Sequence, residues 1–314
     1  MNHPRELRHQ AAGHTGTLTD RDGLLVFKPA LDRELAFYQA VQKRMYSEGN
    51  DDGNREGDVP LYSWMPTFLG TLNEGEQGTE GGKYIVLENL LHGFSEPNVM
   101  DVKLGKVLYD NEASVEKRER LAQVSKTTTS GSLGFRICGM KLKRNKMVEQ
   151  VDPAHVEPDE DDYVFLNKHF GRSRTEDNIE DSFRLFFANS KLSPERVKTL
   201  KRTFLHRLQL LYNTLLEEEV RMVSCSLLFI YEGEPKRWDA LNDRDSLLRD
   251  EFIDSGDEDS DSENESTGGK TGLSSLSLID FAHSKLVPGE GYDEGLVDAI
   301  ENLMTLFHNI CIRI

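Results

Sequence analysis

The sequence predicts a protein of mixed helices and strands, arranged in two lobes or domains. Three observations carry this. The chain's 314 residues can bury a large core. Short apolar runs of strand character are interleaved with longer stretches whose apolar residues recur at helical spacing. The hydrophobic share, 37%, is low but globular, and the deficit is concentrated in acidic stretches at Glu48–Asp58, Asp152–Asp162 and Asp250–Glu265. Residues 47–58, 150–162 and 250–272 are therefore expected to be poorly ordered inserts.

In chain order, Gly23–Lys28 reads as a strand ending in a lysine, after the loop Gly13–Gly16. A helix follows, with Leu35, Tyr38, Val41 and Met45 near helical spacing. Lys83–Leu87 is a short apolar strand running into Glu88-Asn89-Leu90, and Met100–Leu104 is another. A charged helix is expected from about Ser114 to Ser125, then a Ser/Thr/Gly loop at Thr127–Gly134 and a strand at Phe135–Leu142. Ser193 is an N-cap with Pro194 at the first helical position. The helix it opens carries Leu200, Phe204, Leu208, Leu211, Leu215 and Met222 on one stripe. Val223–Tyr231 and Leu276–Phe281 are strands, separated by the acidic linker Asp254–Glu265. The last helix buries Leu296, Ile300, Leu303, Phe307 and Ile310. There is no internal repeat.

Composition narrows the function. A net charge of −17 argues against a general nucleic-acid surface. No apolar run is long enough to span a bilayer, and the N-terminus has no apolar segment of the secretory kind. Cys138, Cys225 and Cys311 are widely spaced in apolar sequence, which suits reduced core thiols rather than disulfides or a zinc site. Between Asp101 and Lys146, eleven Lys/Arg face five Asp/Glu, a local net of +6. Such a patch in an acidic protein fits a highly anionic small molecule, or else a basic helix face in water.

The chemistry centres on Pro97–Gly105. In an extended strand Asp101 and Lys103 point to the same face. That pair suits phosphoryl transfer, with a carboxylate orienting the accepting hydroxyl and a cation stabilising the moving group. Alone, an Asp-x-Lys strand is more often a surface ion pair. Its neighbours in order are a strand lysine, Lys28, an apolar strand entering Glu88-x-Leu90, and a late Ile279-Asp280-Phe281. In an ATP-dependent kinase Lys28 can neutralise the α/β-phosphates and the Glu88–Leu90 backbone can pair with adenine. Asp280 can hold Mg2+ through hard oxygen ligands. Two other motifs fail on context. Gly131–Gly134 follows the Asp-x-Lys strand, and Gly268-Gly269-Lys270-Thr271 lacks the first glycine of a P-loop and precedes a strand. The His-Arg-Asp signature of protein kinases is absent.

Pro97-x-x-x-Asp101-x-Lys103-x-Gly105, followed by Ser226-Leu227-Leu228 and Ile279-Asp280-Phe281-Ala282-His283, resembles the inositol polyphosphate kinase family, most of all its fungal multikinase branch. The resemblance implies a bilobal α+β fold related to protein kinases, with ATP between an N-terminal lobe (1–92) and a C-terminal lobe (93–314). It implies ATP contacts at Lys28, Glu88, Leu90 and Asp280, with Mg2+ on Asp280. It makes Asp101 and Lys103 the catalytic pair, and Lys103, Lys117, Arg120, Lys126 and His283 substrate contacts. The Lys117–Lys126 spacing is longer than in animal relatives, and Cys225 stands where relatives often carry serine. The expected activity is Mg-ATP-dependent phosphorylation of inositol 1,4,5-trisphosphate and its tetrakisphosphate product towards the pentakisphosphate, in nucleus and cytoplasm. The rival reading is an acidic nuclear adaptor that recruits basic partners such as transcription factors, with no direct nucleic-acid contact.

Overall fold

The computed structural model describes residues 5–7, 11, 16–48, 59–73, 82–250, 252 and 272–312. A first antiparallel sheet is built from β1 (Arg5–Glu6), β2 (Leu18–Thr19), β3 (Leu25–Pro29), β4 (Phe68–Asn73) and β5 (Lys83–Glu88), in the order β1-β2-β3-β5-β4. Between β3 and β4 runs α1 (Asp32–Glu48), whose buried stripe is Glu34, Leu35, Phe37, Tyr38 and Val41.

The rest of the chain supplies β6 (Pro97–Leu104), α2 (Val115–Lys126), α3 (Thr129–Leu133), β7 (Phe135–Lys143), β8 (Val156–Pro158), β9 (Tyr163–Leu166), α4 (Lys168–Arg172), α5 (Ile179–Phe186) and α6 (Pro194–Glu217). Then come β10 (Val220–Met222), β11 (Ser226–Glu232), α7 (Pro235–Ala240), β12 (Ser274–Ile279), β13 (Ser284–Leu286) and α8 (Glu294–Ile312). A second antiparallel sheet has the order β12-β11-β6-β7-β9-β8, and β10 pairs with β13. β6 is one of its inner strands, buried along nearly its whole length. It reads as a continuous apolar run broken only by Asn98, Asp101 and Lys103, so those polar groups enter the interior for a reason other than solubility. Helices α6 and α8 close one side of this sheet through an aromatic cluster of Phe183, Phe204, Phe229 and Phe307, with Phe229 and Phe307 stacked at 5.7 Å.

Ser193 caps α6 as expected, its side chain accepting from the Arg196 N–H. The helix ends at Glu217, so Met222 belongs to β10 and not to the helical stripe. Thr127–Gly134 is not a plain loop: Thr128 caps the short α3, which ends on Gly134 in the left-handed region at φ 74°.

Residues 150–162 correct the expected disorder. The segment is folded into short 3-10 turns, with Asp152 and Asp159 capping two of them, and into β8 paired with β9. Its acids have basic partners across the sheet. Lys141 meets Asp159 at 2.5 Å, Arg144 meets Asp162 at 3.5 Å, and Lys143 lies 4.3 Å over the Tyr163 ring. Part of the local basic excess is thus neutralised internally. The runs 49–58 and 253–271, within the other two expected inserts, lie outside the described residues.

On either side of 251–271 the chain is fastened at one point. The Asp245 Oδ1 carboxylate oxygen accepts from the Leu273 and Ser274 N–H groups, each at 2.9 Å. Buried Arg207 donates to the carbonyls of Ser246 (2.5 Å), Leu247 (2.8 Å) and Ser274 (3.0 Å).

Candidate functional site

The Asp-x-Lys pair sits where the sequence put it, on one strand with both side chains on one face. In register, Asp101 lies between Leu228 of β11 and Gly139 of β7, and Lys103 between Ser226 and Arg136. The pairing with β7 slips between Asp101 and Val102, leaving Cys138 as the extra residue of a bulge beside the pair. Asp101 is 2% exposed. Burial pushes its carboxyl up to about 6; Lys103 pulls it down, Asp280 raises it further, and Ser226 and Arg136 ease it back. Its Oδ1 is buried and without a hydrogen bond. An unpaired buried acceptor costs roughly 1–3 kcal/mol.

The late aspartate draws the cations together. Lys28 Nζ donates to Asp280 Oδ1 and to Glu34 Oε1, both at 2.8 Å. Lys103 Nζ donates to the Ser224 carbonyl at 2.8 Å and lies 3.8 Å from Asp280 Oδ2. Burial works against both ammonium groups, but the facing carboxylates, Asp280 first, hold each pKa above its ordinary value. Both lysines are therefore cations at neutral pH. Asp280 follows β12 at φ 65°, and Ser224 precedes β11 at φ 59°. Left-handed backbone at residues other than glycine is a strain of roughly 1–3 kcal/mol that gathers at working sites. Asp280 is 22% exposed along its side chain. It offers hard oxygen donors at the mouth of the cleft, which suit a divalent cation. Among the described residues no cluster of three or more His, Cys, Asp or Glu side chains is arranged to hold a metal.

Glu34 is the residue the sequence reading missed. It is fully buried on the first turn of α1, and its Oε1 also accepts from the Phe281 N–H at 3.0 Å. The strand-lysine to helix-glutamate pair parallels the ion pair that protein kinases need for activity. A signal existed: a glutamate on an otherwise apolar helical stripe, one turn after a strand lysine.

A cleft opens between the two sheets. Val26, Lys28 and Leu87 line it from the first, Val99, Leu228 and Ile279 from the second, and Glu88–Leu90 joins them at the back. The Glu88 side chain is tied up structurally: it accepts from Thr67 N (3.1 Å), Thr67 Oγ1 (2.9 Å) and Arg249 Nη1 (2.6 Å). Leu90 is buried. What Glu88–Leu90 presents to the cleft is thus backbone and apolar surface.

His283 lies just past Asp280, with Nδ1 2.7 Å from Asp110 Oδ2. Arg33, beside Glu34 on α1, meets the same Asp110 oxygen at 2.7 Å. Burial would raise the Asp110 carboxyl, but the hydrogen bond and charge of His283, with Arg33, hold it below the usual range.

The structure does not gather the basic helix into this group. Lys117, Arg120 and Lys126 all lie on α2, which buries no residue. All three are exposed, with no ion pair or side-chain hydrogen bond to the described residues. Lys126 is the last residue of α2 and stands about two and a half turns from Lys117. It therefore faces the opposite side of the helix, while Lys117 and Arg120 share one.

The inositol polyphosphate kinase family model matches residues 84–308. Inositol polyphosphate multikinase of Saccharomyces cerevisiae is 52% identical over 354 aligned residues, covering 98% of this chain and 98% of that protein. Inositol polyphosphate multikinase of Schizosaccharomyces pombe is 32% identical, over 71% of this chain and 77% of its own length. Among solved structures, the inositol phosphate multikinase Ipk2 from S. cerevisiae, in complex with ADP and Mn2+, superposes with a TM-score of 0.78 and 53% identity, over 92% of this chain and 99% of that one.

Proposed function

The chain belongs to the inositol polyphosphate kinase family and is an enzyme of the multikinase type; on that premise we propose that it uses Mg-ATP to phosphorylate inositol 1,4,5-trisphosphate, and then the tetrakisphosphate product towards the pentakisphosphate. The observation that carries the proposal is the meeting of Lys28 and Lys103 at Asp280, beside a buried carboxylate with an unpaired oxygen.

Adenine fits between the apolar walls of the cleft, against the backbone of Glu88–Leu90. Lys28, held by Glu34, takes the ATP phosphates. Asp280 is the residue that would hold the divalent cation, which supplies charge neutralisation when bound with ATP. One carboxylate completed by phosphate and water oxygens is the donor set Mg2+ favours. Asp101 orients the accepting hydroxyl and takes its proton. A pKa of about 6 leaves it ionised at neutral pH yet basic enough to accept. Lys103, two residues on and still charged, offsets the charge on the moving phosphoryl group. Lys117 and Arg120, on an exposed helix, hold ring phosphates by charge rather than by a fitted wall, which suits a ring that rebinds in more than one orientation. Lys126 and His283 are the outlying substrate contacts.

The test is to incubate the purified protein with Mg-ATP and a panel of inositol phosphates, then resolve the products by charge. Successive products with four and five phosphates are expected from the trisphosphate. A folded protein that consumes no inositol phosphate would overturn the reading. The acidic run Asp254–Glu265 supports a second role, recruitment of basic protein partners in nucleus and cytoplasm, because its composition is strongly anionic. Loss of partner capture without loss of kinase activity on its deletion tests that role.

A further inference from the structure

Two neighbouring residues of α1 reach different parts of the site. Glu34 holds Lys28 and the Phe281 N–H on the Asp280 side. Arg33 reaches across to Asp110, in the loop after β6, which in turn holds His283. Nothing in the phosphoryl-transfer scheme above uses Asp110 or Arg33, although Asp110 is among the most fully engaged carboxylates near the cleft.

Asp110 is fixed on its own element before it meets the imidazole. Its Oδ1 accepts from the Glu112 N–H at 3.1 Å, closing a tight turn. The loop around it is braced at three further points. Ser125 Oγ donates to the Lys106 carbonyl at 2.6 Å, Ser224 Oγ to the Leu108 carbonyl at 3.1 Å, and Arg118 Nε to the Ala113 carbonyl at 2.8 Å. The turn therefore presents Oδ2 in one direction, towards His283 Nδ1 and Arg33 Nη1. Arg33 also pairs with Glu112 in the same loop.

An ionised carboxylate can only accept, so the bond at 2.7 Å sets Nδ1 as the donating nitrogen of His283. The other ring nitrogen, Nε2, has no hydrogen-bond partner among the described residues, and the side chain is 32% exposed. The imidazole thus has one nitrogen spent on orientation and one left for a ligand. A carboxylate behind a working histidine is a common means of fixing both tautomer and ring direction.

We propose that Asp110 is a positioning residue for the inositol phosphate: it aims His283 Nε2 at the substrate, and Arg33 locks Asp110 to the helix that also holds Lys28. The proposal rests on His283 being a substrate contact, as argued above. It places the two substrates under one helical turn, with Arg33 aligning the inositol phosphate side and Glu34 the nucleotide side.

The experiment measures KM and kcat for inositol 1,4,5-trisphosphate and for ATP in the parent, Asp110→Asn, Arg33→Met, His283→Ala and the Asp110→Asn/His283→Ala double variant. Loss of one aimed hydrogen bond to a charged ligand should raise the inositol phosphate KM by ~5–10-fold in Asp110→Asn and in His283→Ala, with ATP KM within about twofold. Arg33→Met should give about threefold, since Asp110 keeps its own turn. In the His283→Ala background, Asp110→Asn should add nothing, because the residue acts only through the imidazole. A full additional effect there would overturn the positioning role. An unchanged inositol phosphate KM in His283→Ala would instead remove His283 from the substrate contacts, a separate failure. If Asp110→Asn does not fold, Arg33→Met in the presence and absence of His283 decides the same question: an equal effect in both backgrounds refutes the relay.

Discussion

Asp101→Asn should abolish turnover and at the same time stabilise the protein. The buried carboxyl titrates at about 6 in the fold, against an ordinary 3.8. Below pH 3.8 it is protonated whether the chain is folded or not, and it adds no penalty. As pH rises from there through 6, the unfolded chain gives up this proton first, so stability falls across that window; above 6 the penalty is complete. At about 1.4 kcal/mol per pH unit, the ionised carboxylate costs the fold roughly 3 kcal/mol at neutral pH, and roughly half of that at pH 5. Asparagine keeps the shape without the charge, and Lys103 retains Asp280 and the Ser224 carbonyl as partners. For a chain of this size roughly 3 kcal/mol corresponds to a Tm gain of about 4–5 °C at pH 7.5, shrinking towards pH 5. Thermal melts at the two pH values, with inositol phosphate turnover on the same samples, make the assay. The parent's rate should also rise with pH through about 6 as Asp101 ionises. A variant that melts lower at pH 7.5, or gains equally at both pH values, would refute the desolvated carboxylate. Retained turnover would refute its role as the base.

Three further outcomes follow from the same geometry. Asp280→Ala should lower turnover by at least ~100-fold without unfolding the chain, because Lys28 keeps Glu34 as its partner while the cation loses its carboxylate; near-normal rates in a folded variant would remove the metal assignment. Lys117→Ala with Arg120→Ala should raise the inositol phosphate KM by at least ~10-fold and spare that of ATP, with the effect shrinking as salt is added; an unchanged KM would make α2 a solvated face. Deleting Asp254–Glu265 should leave kinase activity within about threefold of the parent, since so acidic a composition is not that of a packed core and both flanks are fastened at Asp245 and Arg207; loss of catalysis in a folded deletion would make the run part of the site.

Local signals were legible and long-range pairings were not. The Ser193-Pro194 start of α6, the end of β6 at Leu104 and the placement of Asp101 and Lys103 on one face all follow from short-range rules of capping and alternation. The disorder expected at 150–162 failed because composition counts acids but not the bases across a sheet that meet them, here Lys141 and Arg144. Asp110 and His283 are 173 residues apart, so no local pattern announces their bond. α5 was passed over although Ile179, Ser182, Phe183 and Phe186 form its buried side, because acids and an arginine dilute a stretch of eight residues. The Glu88 side-chain clamp comes in part from Arg249, and nothing near Glu88 in sequence points there.

The clasp of Asp245 and Arg207 also makes this protein a ready host for foreign sequence. The two sides of 251–271 are already joined through the Leu273 and Ser274 amides, so the entropy of bringing them together is settled before any passenger is added. Doubling the length of chain between such fixed ends adds only about 0.6 kcal/mol. A fluorescent domain with adjacent termini, spliced in at residue 260, would report on the kinase from within its own chain.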